Sequence, residues 1–551
     1  MDKPDRMPNV PPFVKFVASA VPMVFDNSLS YYEALCALWK YIQGMTDVIN
    51  NNATLEEEYI VKFNELKTFV DEYFDNLDVQ EEINNKLDQM AEDGTLQEII
   101  TAYIQANTAW CFDSVAAMKT AENFINGSYA HTYGYHSVND GGGAFYKIRT
   151  VTNEDVVDES FIIALADETL VAELIHDDFV NVKQLGLYGD DTHDDSAKLA
   201  SLMSYAKLFF PQGTYKLSNS LTINSHQMWR SNYKSNYNIL PNLKLYGANT
   251  SINIESNTRC TFEGLCFRAD TTESETTPTT GLVIKSPFTE FYNCNFYDFV
   301  SFGINFNANC WLCKFDTCRF ERNGTAVRTN NDCNFMKFIN CYIHENTVGV
   351  YVYGTTENGG SPQVTFDKCD IEDNTSRGIM IGGSWNNEVF INDCYFEHHA
   401  GFAIYGQAVQ TNPTKGYRSI HINNSRFYSG ASTSGLLYLY WFEHAYINNC
   451  TIDVYGNSND FYLLSTSASS PLVNITNTDI NINNSPNVKP FLKNRVYYND
   501  VKTSDATAAS GMPLTGIGGT CFVGEKKAIT DMKIFDGQYW RNNDGSYWGY
   551  N

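Results

Sequence analysis

The sequence predicts a mainly β protein whose body is a parallel β-helix, and three observations carry that prediction. A short unit recurs across residues 260–481, the spacing of apolar residues switches from helical to alternating near Phe112, and the composition suits strands joined by polar turns. Aromatic residues make up 14% of the chain, with 35 Tyr and 35 Phe against only 15 Pro, which favours solvated β-structure over a helical enzyme. At 551 residues the chain has room for several domains and a large core.

The elements follow in order. Residues 1–50 form an apolar, Pro-containing segment, in which the polar run 26–30 supplies caps for a helix over 31–50. Leu55, Tyr59, Phe63, Leu66, Val70, Tyr73 and Leu77 step by three and four. That is the seam of a short coiled coil, although an ordinary amphipathic helix has the same pattern. A second helical piece through Val79, Ile83, Leu87 and Met90 runs to Gly94, and a small helix is expected over 95–105, so that 51–107 reads as a helical neck. Over 108–178 the period becomes two, and Gly127, Gly134 and Asp140-Gly141-Gly142-Gly143 punctuate short strands of a small β head domain.

The β-helix is expected over 179–495. Its unit is apolar-x-apolar, two polar residues, a small core residue, one variable residue and an apolar residue. Phe338-Ile339-Asn340-Cys341-Tyr342-Ile343 and Ile391-Asn392-Asp393-Cys394-Tyr395-Phe396 are two copies. The core position falls at Leu265, Cys294, Cys318, Cys341, Cys369, Cys394, Ser425, Cys450 and Thr478, at intervals of 23 to 31 residues. One coil of three short strands cannot bury its apolar side chains, whereas stacked coils bury a continuous column. Asn323, Asn346 and Asn374 share one corner, where side-chain amides can bond from rung to rung. Leucine-rich and helical repeats fit badly, because they need a Leu consensus or a 3.6 period. Residues 496–551 lose the repeat and end in Tyr539-Trp540 and Tyr547-Trp548-Gly549-Tyr550, a C-terminal β tip.

Several function classes are disfavoured. A net charge of -26 argues against nucleic acid, whose phosphates need a positive surface. The 14 cysteines lack the spacing of a disulfide scaffold and read as thiols stacked in the core. Cys310 and Cys313 form a lone C-x-x-C with no His or second pair at zinc spacing, so no metal and no cofactor is assigned. The apolar patch over 14–24 is short and broken by Lys15 and Pro22, so neither a signal peptide nor membrane insertion is expected, and the chain is expected to mature in a reducing cytoplasm.

Three stretches, covering about half of the chain, resemble known families. Residues 181–221 resemble the leading segment of the pectate-lyase-like superfamily of phage spikes and polysaccharide-active enzymes. The matching residues are Val182 to Gly186, Gly189-Asp190-Asp191, Asp194-Asp195-Ser196 and Phe210-Pro211-Gln212-Gly213-Thr214-Tyr215, with Asp191 standing where the pattern has a second Gly. This resemblance implies a right-handed β-helix and a short covering helix capped by Asp194 or Asp195, which leaves those acids without a catalytic role. Residues 112–175, with Thr132-Tyr133-Gly134-Tyr135 and 140–146, are similar to the head domain of phage tail spikes. The first hundred residues resemble the virion-anchoring segments of preneck appendage and tail proteins in phages of Gram-positive bacteria, through 25–32 and Asp93-Gly94-Thr95-Leu96. The order of anchor, coiled coil, head and β-helix implies a homotrimeric virion spike, docked on tail or collar proteins through its N-terminus and binding a host cell-surface glycopolymer such as teichoic acid or capsule.

The repeat also places two outward columns of side chains. The first holds Arg319, Tyr342, Asp370, Tyr395 and Arg426, and the second holds Glu321, His344, Glu372, Glu397, Tyr428 and Asp453. Coils lie about 4.8 Å apart. Glu372 and Glu397, on neighbouring coils, are expected near the separation of a retaining glycosidase pair, and Glu321 and Glu372, two coils apart, near the upper end of the inverting range. The catalytic candidates are therefore Glu372, Glu397, Glu321 and Asp370. The carbohydrate-binding candidates are Tyr342, Tyr395, Arg319 and Arg426, since a sugar groove needs flat faces to stack on and charged groups for hydroxyls. Trp540 and Trp548 are further binding candidates, or else pack the tip of a trimer. A plain solvated face would carry the same residue types. Asn477-Thr478-Asp479 lacks the Gly-His-Gly and Arg-Ile-Lys partners of a polygalacturonase, and His398-His399 and Glu443-His444 read as surface pairs. Three functions remain: a binding-only virion spike, the same spike acting as a hydrolase or lyase, and a free polysaccharide-degrading enzyme, which the anchor-like helices disfavour.

Overall fold

The computed structural model describes residues 80–93, 95–96, 109–232, 240–272, 277–307, 310–330, 332–354, 361–383, 387–408, 418–430, 434–440, 442–455, 461–466, 472–483, 488–491, 495–499, 502–503, 520–523, 539–541 and 547–548. The anchor over 1–50, the seam from Leu55 to Leu77 and most of the helix expected over 95–105 lie outside the described residues. The second helical piece is present as Gln80–Glu92.

Two compact units divide the chain. The first holds a sheet in the order Ala109–Phe112, Tyr129–Thr132, Ala144–Thr150, Leu170–Ile175, Ile162–Ala164. The alternation anticipated for 144–148 is there, with Tyr146 and Ile148 buried and Phe145 exposed. The segment Tyr133–Ala144, expected within the head, instead belongs to the second unit. Its Asp140 carboxylate accepts the backbone N–H groups of Tyr135, His136, Ser137 and Gly142, and burial is outweighed by these bonds, which lower its pKa. Asn181 Nδ2 and Gln184 Nε2 then donate to the carbonyls of Gly141 and Gly143 at 3.0 and 2.9 Å, which ties the segment to the start of the solenoid.

The second unit is a stack of coils, each with one strand in each of three sheets. Sheet 1 runs from Leu221–Ile223 to Val488–Phe491, sheet 2 from Val180–Asn181 to Tyr547–Trp548, and sheet 3 from Asp190–Asp194 to Lys502–Thr503. Thr280–Ile284, Glu290–Tyr292 and Asn295–Tyr297 make one coil, and each pairs in parallel with its counterpart in the next. The described strands of the C-terminal tip extend sheet 2: Thr520–Val523 pairs antiparallel with Arg495–Asn499, followed by Tyr539–Arg541 and Tyr547–Trp548.

The repeat explains the coil. Between sheets 2 and 3 a single residue turns the chain in the left-handed region: Asn293, Thr317, Asn340, Lys368, Asp393, Asn424, Asn449 and Asn477, with φ between 47° and 57°. Asn and Asp recur there because they tolerate this region better than most residues. The next residue points inward and must be small, and Cys294, Cys318, Cys341, Cys369, Cys394 and Cys450 fill that column. Burial pushes the Cys294 thiol up to about 12, so it stays protonated and unreactive. Cys310 and Cys313 are buried as well, and the described residues contain no group of three ligands for a metal ion.

The core is a pair of aromatic stacks. Phe262, Phe291, Phe315, Phe338 and Phe366 of sheet 2 lie ring on ring with centroids 4.8 to 5.2 Å apart. Phe267, Phe296 and Phe320 of sheet 3 form a second stack that meets the first edge to face. At the corner after sheet 3, Asn323 Nδ2 donates to Asn346 Oδ1 at 3.0 Å, and Asn346 Nδ2 to Asn374 Oδ1 at 3.1 Å. The left-handed residue of this corner is the one before each Asn, namely Arg322, Glu345 and Asp373. His399 takes the next place in the column, so it is a core residue and not part of a surface pair as the sequence suggested. It fits because Gly378 has no side chain: a Cβ there would lie 2.7 Å from its Nε2.

Near the start of the solenoid, Asp191 adopts φ 64°, in the left-handed region that Gly enters at no steric cost, and its carboxylate accepts from Tyr246 OH at 2.6 Å and pairs with Lys244 at 3.1 Å. The helix Ser196–Ser201 follows. Asp194 Oδ1 accepts its first N–H, from Ser196, while Asp195 turns back to accept from Tyr188 and Gly189.

Candidate functional site: the outward face of sheet 3

Five short strands carry the candidates: Arg319–Glu321, Tyr342–His344, Asp370–Glu372, Tyr395–Glu397 and Arg426–Ser429. Each places its middle residue in the core and its first and third on the outer face. Arg319, Tyr342, Asp370, Tyr395 and Arg426 stand in register across consecutive coils, beside Glu321, His344, Glu372, Glu397 and Tyr428.

The two ends of the second column are not solvated as expected. Glu321 and His344 are buried, at 6% and 7% exposure, and Asp453 is at 3%. Long neighbouring side chains cover them and satisfy their charge. Glu321 pairs with Arg319 and Arg322 and lies 2.6 Å from His344 Nε2, while Arg322 continues to Asp298 at 2.7 Å. Burial, and then the Arg319 cation, lower the pKa of His344. Asp453 accepts Arg426 Nη2 at 2.8 Å and Asn481 Nδ2 at 2.8 Å. Arg322, Asp298 and Asn481 were not singled out in the sequence, because only the fold brings them beside these acids.

The middle of the face is different. Tyr342 donates its hydroxyl to Glu372 Oε1 on the next coil, and Arg319 lies 4.8 Å from the Tyr342 ring centroid. Tyr395 donates to Glu397 Oε2 at 2.6 Å, and His398 Nδ1 lies 3.0 Å from Glu397 Oε1. Both tyrosine hydroxyls have raised pKa values, through burial and then the adjacent carboxylate. Asp370 stands between the two tyrosines. Burial, then the Glu372 and Glu397 charges, push its carboxyl up to about 6, and its Oδ1 has no hydrogen-bond partner among the described residues. Three carboxyl groups, two oriented phenols and one arginine thus face one patch. Trp540 and Trp548 are not among them: their backbones pair with each other in sheet 2.

A family model described as a right handed beta helix region matches residues 230–384 and 280–484. The solenoid is a right-handed β-helix. No curated protein matches the chain. Among solved structures, this β-helix is similar to the enzymatically active domain of tailspike protein 2 from bacteriophage CBA120, at 14% identity and a TM-score of 0.47 over 74% of this chain and 59% of that one. It is similar to tailspike gp49 of the Acinetobacter baumannii bacteriophage Fri1, described as a capsular polysaccharide depolymerase, at 15% identity and 0.48 over 74% and 76%. It is also similar to PfbA, a Streptococcus pneumoniae surface protein and adhesin, at 12% identity and 0.40 over 59% and 99%. At these identities the likeness is one of fold.

Proposed function

We propose that this chain is a receptor-binding spike of a bacteriophage particle that holds a host-surface glycopolymer, of the teichoic acid or capsule kind, on the outward face of sheet 3. The observation that carries the binding role is the orientation of Tyr342 and Tyr395 by Glu372 and Glu397, with Arg319 stacked on the first ring. Phenol rings fixed in this way offer flat apolar faces at little entropic cost, and the carboxylates beside them accept sugar hydroxyls. Particle attachment is a proposal that rests on the resemblance of the first hundred residues to virion-anchoring segments, and trimer formation is one that rests on the order of anchor, coiled coil, head and β-helix.

A second reading, cleavage of the same polymer, is favoured by Asp370. A carboxylic acid held near 6 beside two further carboxyl groups is the arrangement of a general acid with a base or nucleophile next to it. In this reading Asp370 protonates the leaving glycosidic oxygen. Glu372 or Glu397 attacks the anomeric carbon, or deprotonates the water that does so. The test is incubation of the full chain with host wall glycopolymer, followed by size-exclusion chromatography, for the wild type and two double variants. If the wild type shortens the polymer and Glu372→Gln/Glu397→Gln only binds it, the face is an active site. If both bind without shortening it and Tyr342→Ala/Tyr395→Ala does not bind, the face is a receptor site alone. Unchanged binding by the tyrosine variant, together with no loss of cleavage in the glutamate variant, would overturn both readings.

A further inference from the structure

Sheet 1 differs from the rest of the molecule in charge. The chain carries 64 acidic residues against 38 basic ones, yet the strands of sheet 1, from Leu221–Ile223 to Val488–Phe491, contain no Asp or Glu. In their place the outward face presents half-buried aromatic rings and two arginines. Arg328, Tyr351, Met380, Tyr405 and Tyr438 stand in register on consecutive coils, a column of roughly 19 Å at about 4.8 Å per coil. Tyr405 and Tyr438 are stacked, with centroids 4.7 Å apart and planes 8° from parallel, and Phe402 lies 5.4 Å from Tyr438. Phe402 reaches this position over Gly435, where a Cβ would lie 2.4 Å from its ring.

The arginines are the informative part. Arg319 and Arg426 on sheet 3 are each held by a carboxylate. Among the described residues, Arg328 and Arg377 form no ion pair. Arg328 lies 4.8 Å from the Tyr353 ring centroid and 5.3 Å from that of Phe302, and its Nε is buried with no hydrogen-bond partner among the described residues. Arg377 lies 3.9 Å from the Tyr405 ring centroid. A guanidinium stacked on a ring still directs its N–H fork outward, where it fits a phosphate or carboxylate. On a strongly acidic molecule, an acid-free strip with two unneutralised cations is where a negatively charged ligand meets the least repulsion.

We propose that the outward face of sheet 1 is a second glycan-binding site, separate from sheet 3 and selective for anionic sugar polymers. Arg328 and Arg377 engage the phosphodiester or uronate groups, and Tyr351, Tyr405, Tyr438 and Phe402 stack against sugar rings. The column spans several coils, which suits a polymer better than a monosaccharide. This inference goes beyond the sheet 3 reading and does not depend on it.

Binding of the full chain would be measured at two salt concentrations against glucosylated poly(glycerol phosphate), polyglucuronate and neutral dextran. The variants are Arg328→Gln/Arg377→Gln and, as a control that removes the same charge from sheet 2, Lys314→Gln/Lys337→Gln, whose positions pair in register, with particle size followed by light scattering. The expected result is binding to one or both anionic polymers, at least tenfold weaker in the arginine variant and within twofold of wild type in the lysine variant. Preference for the phosphate or the uronate polymer identifies the source of the charge. The proposal is overturned if neither anionic polymer binds, if dextran binds as well, or if the arginine variant binds normally. A change of oligomeric state in the arginine variant also overturns it, because the face would then meet a second copy of the chain. Equal weakening in the lysine variant overturns it too, because overall charge and not sheet 1 would then hold the polymer; the sheet 3 reading is tested by its own variants, so the two proposals fail separately.

Discussion

Tyr342 and Glu372 form a hydrogen bond that crosses from one coil to the next, and Asp370 lies directly beside it: Asp370 is the register partner of Tyr342 and sits two residues before Glu372 on the same strand. The phenol fixes one oxygen of Glu372 against the face, so its charge cannot swing away from Asp370. One coil further on, Tyr395 fixes Glu397 within its own strand. The raised Asp370 pKa is therefore a product of burial together with two carboxylates that are held in place.

This arrangement sets the pH dependence of the site. Asp370 has a folded-state pKa of about 6 against an ordinary value of 3.8, so the folded chain binds its proton more tightly than the unfolded chain does. The contribution to stability is present below 3.8 and is lost as pH rises through 6. Asp370→Asn is expected to raise the melting temperature relative to wild type at pH 7.5 and to leave it unchanged or lower at pH 3.5. Melting curves at the two pH values check this, and an equal shift at both would show that Asp370 does not titrate as described. Where the wild type cleaves polymer, the rate is expected to fall above pH 6, with loss of cleavage in the Asn variant.

The asparagine corner supplies a stability test. Asn346 is fully buried; its Oδ1 accepts both the backbone N–H and the Nδ2 of Asn323, and its Nδ2 donates to Asn374 and to two carbonyls. Asn346→Ala strands at least two buried donors without replacing them. A loss of about 3 kcal/mol is expected on the scale of 1–3 kcal/mol for each unsatisfied group, read from denaturant midpoints. A loss under 1 kcal/mol would mean that the ladder bonds are not what orders this corner.

How much of this was legible follows from where the information lies. The repeat revealed the β-helix because a small core residue and its flanking apolar residues are fixed by local geometry: Cys341 and Cys369 must be small wherever a one-residue turn brings the backbone inward. The register columns on sheet 3 followed from the same spacing. Burial of individual outward residues did not. Glu321 and His344 occupy outward positions by alternation, yet Arg319 and Arg322 fold over them, and Arg322 is held there by Asp298 from the preceding coil. His399 was misread because the Asn column has no sequence rule admitting His. The signal was Gly378, a glycine whose missing Cβ makes the space. The sheet 1 face was missed because its strands are separated by segments of varied length, which blur the repeat, while its lack of acids is visible only once those strands are set side by side.

His399 gives the opposite pH response to Asp370. Burial pushes its pKa down to about 3 from 6.5, so the unfolded chain binds the proton more tightly. The stability present above 6.5 is lost as pH falls toward 3, by roughly 2 kcal/mol at pH 5 at 1.36 kcal/mol per pH unit. His399→Asn restores the amide column and has no proton to take up. The variant is expected to hold its stability between pH 7 and pH 5 better than wild type by that amount, measured by urea titration at both values. Parallel losses in the two proteins would show that His399 does not govern the acid response.

Glu321 separates a structural from a chemical role on the same face. It is buried among Arg319, Arg322 and His344, and removing its charge leaves Arg319 with an uncompensated, partly buried cation. Glu321→Gln preserves the shape but not the charge, and a loss of about 3 kcal/mol is expected on the scale for breaking one partner of a buried pair. Arg319 is also stacked on Tyr342, so its displacement would reach the Tyr342–Glu372 bond and weaken polymer binding. The two effects can be told apart by temperature. If Glu321 acts only by holding this network, binding measured well below the melting temperature falls by a small factor, and any cleavage keeps its dependence on pH. A variant that is as stable as wild type but has lost cleavage would instead make Glu321 a catalytic residue, and the buried network would then have to open when polymer binds.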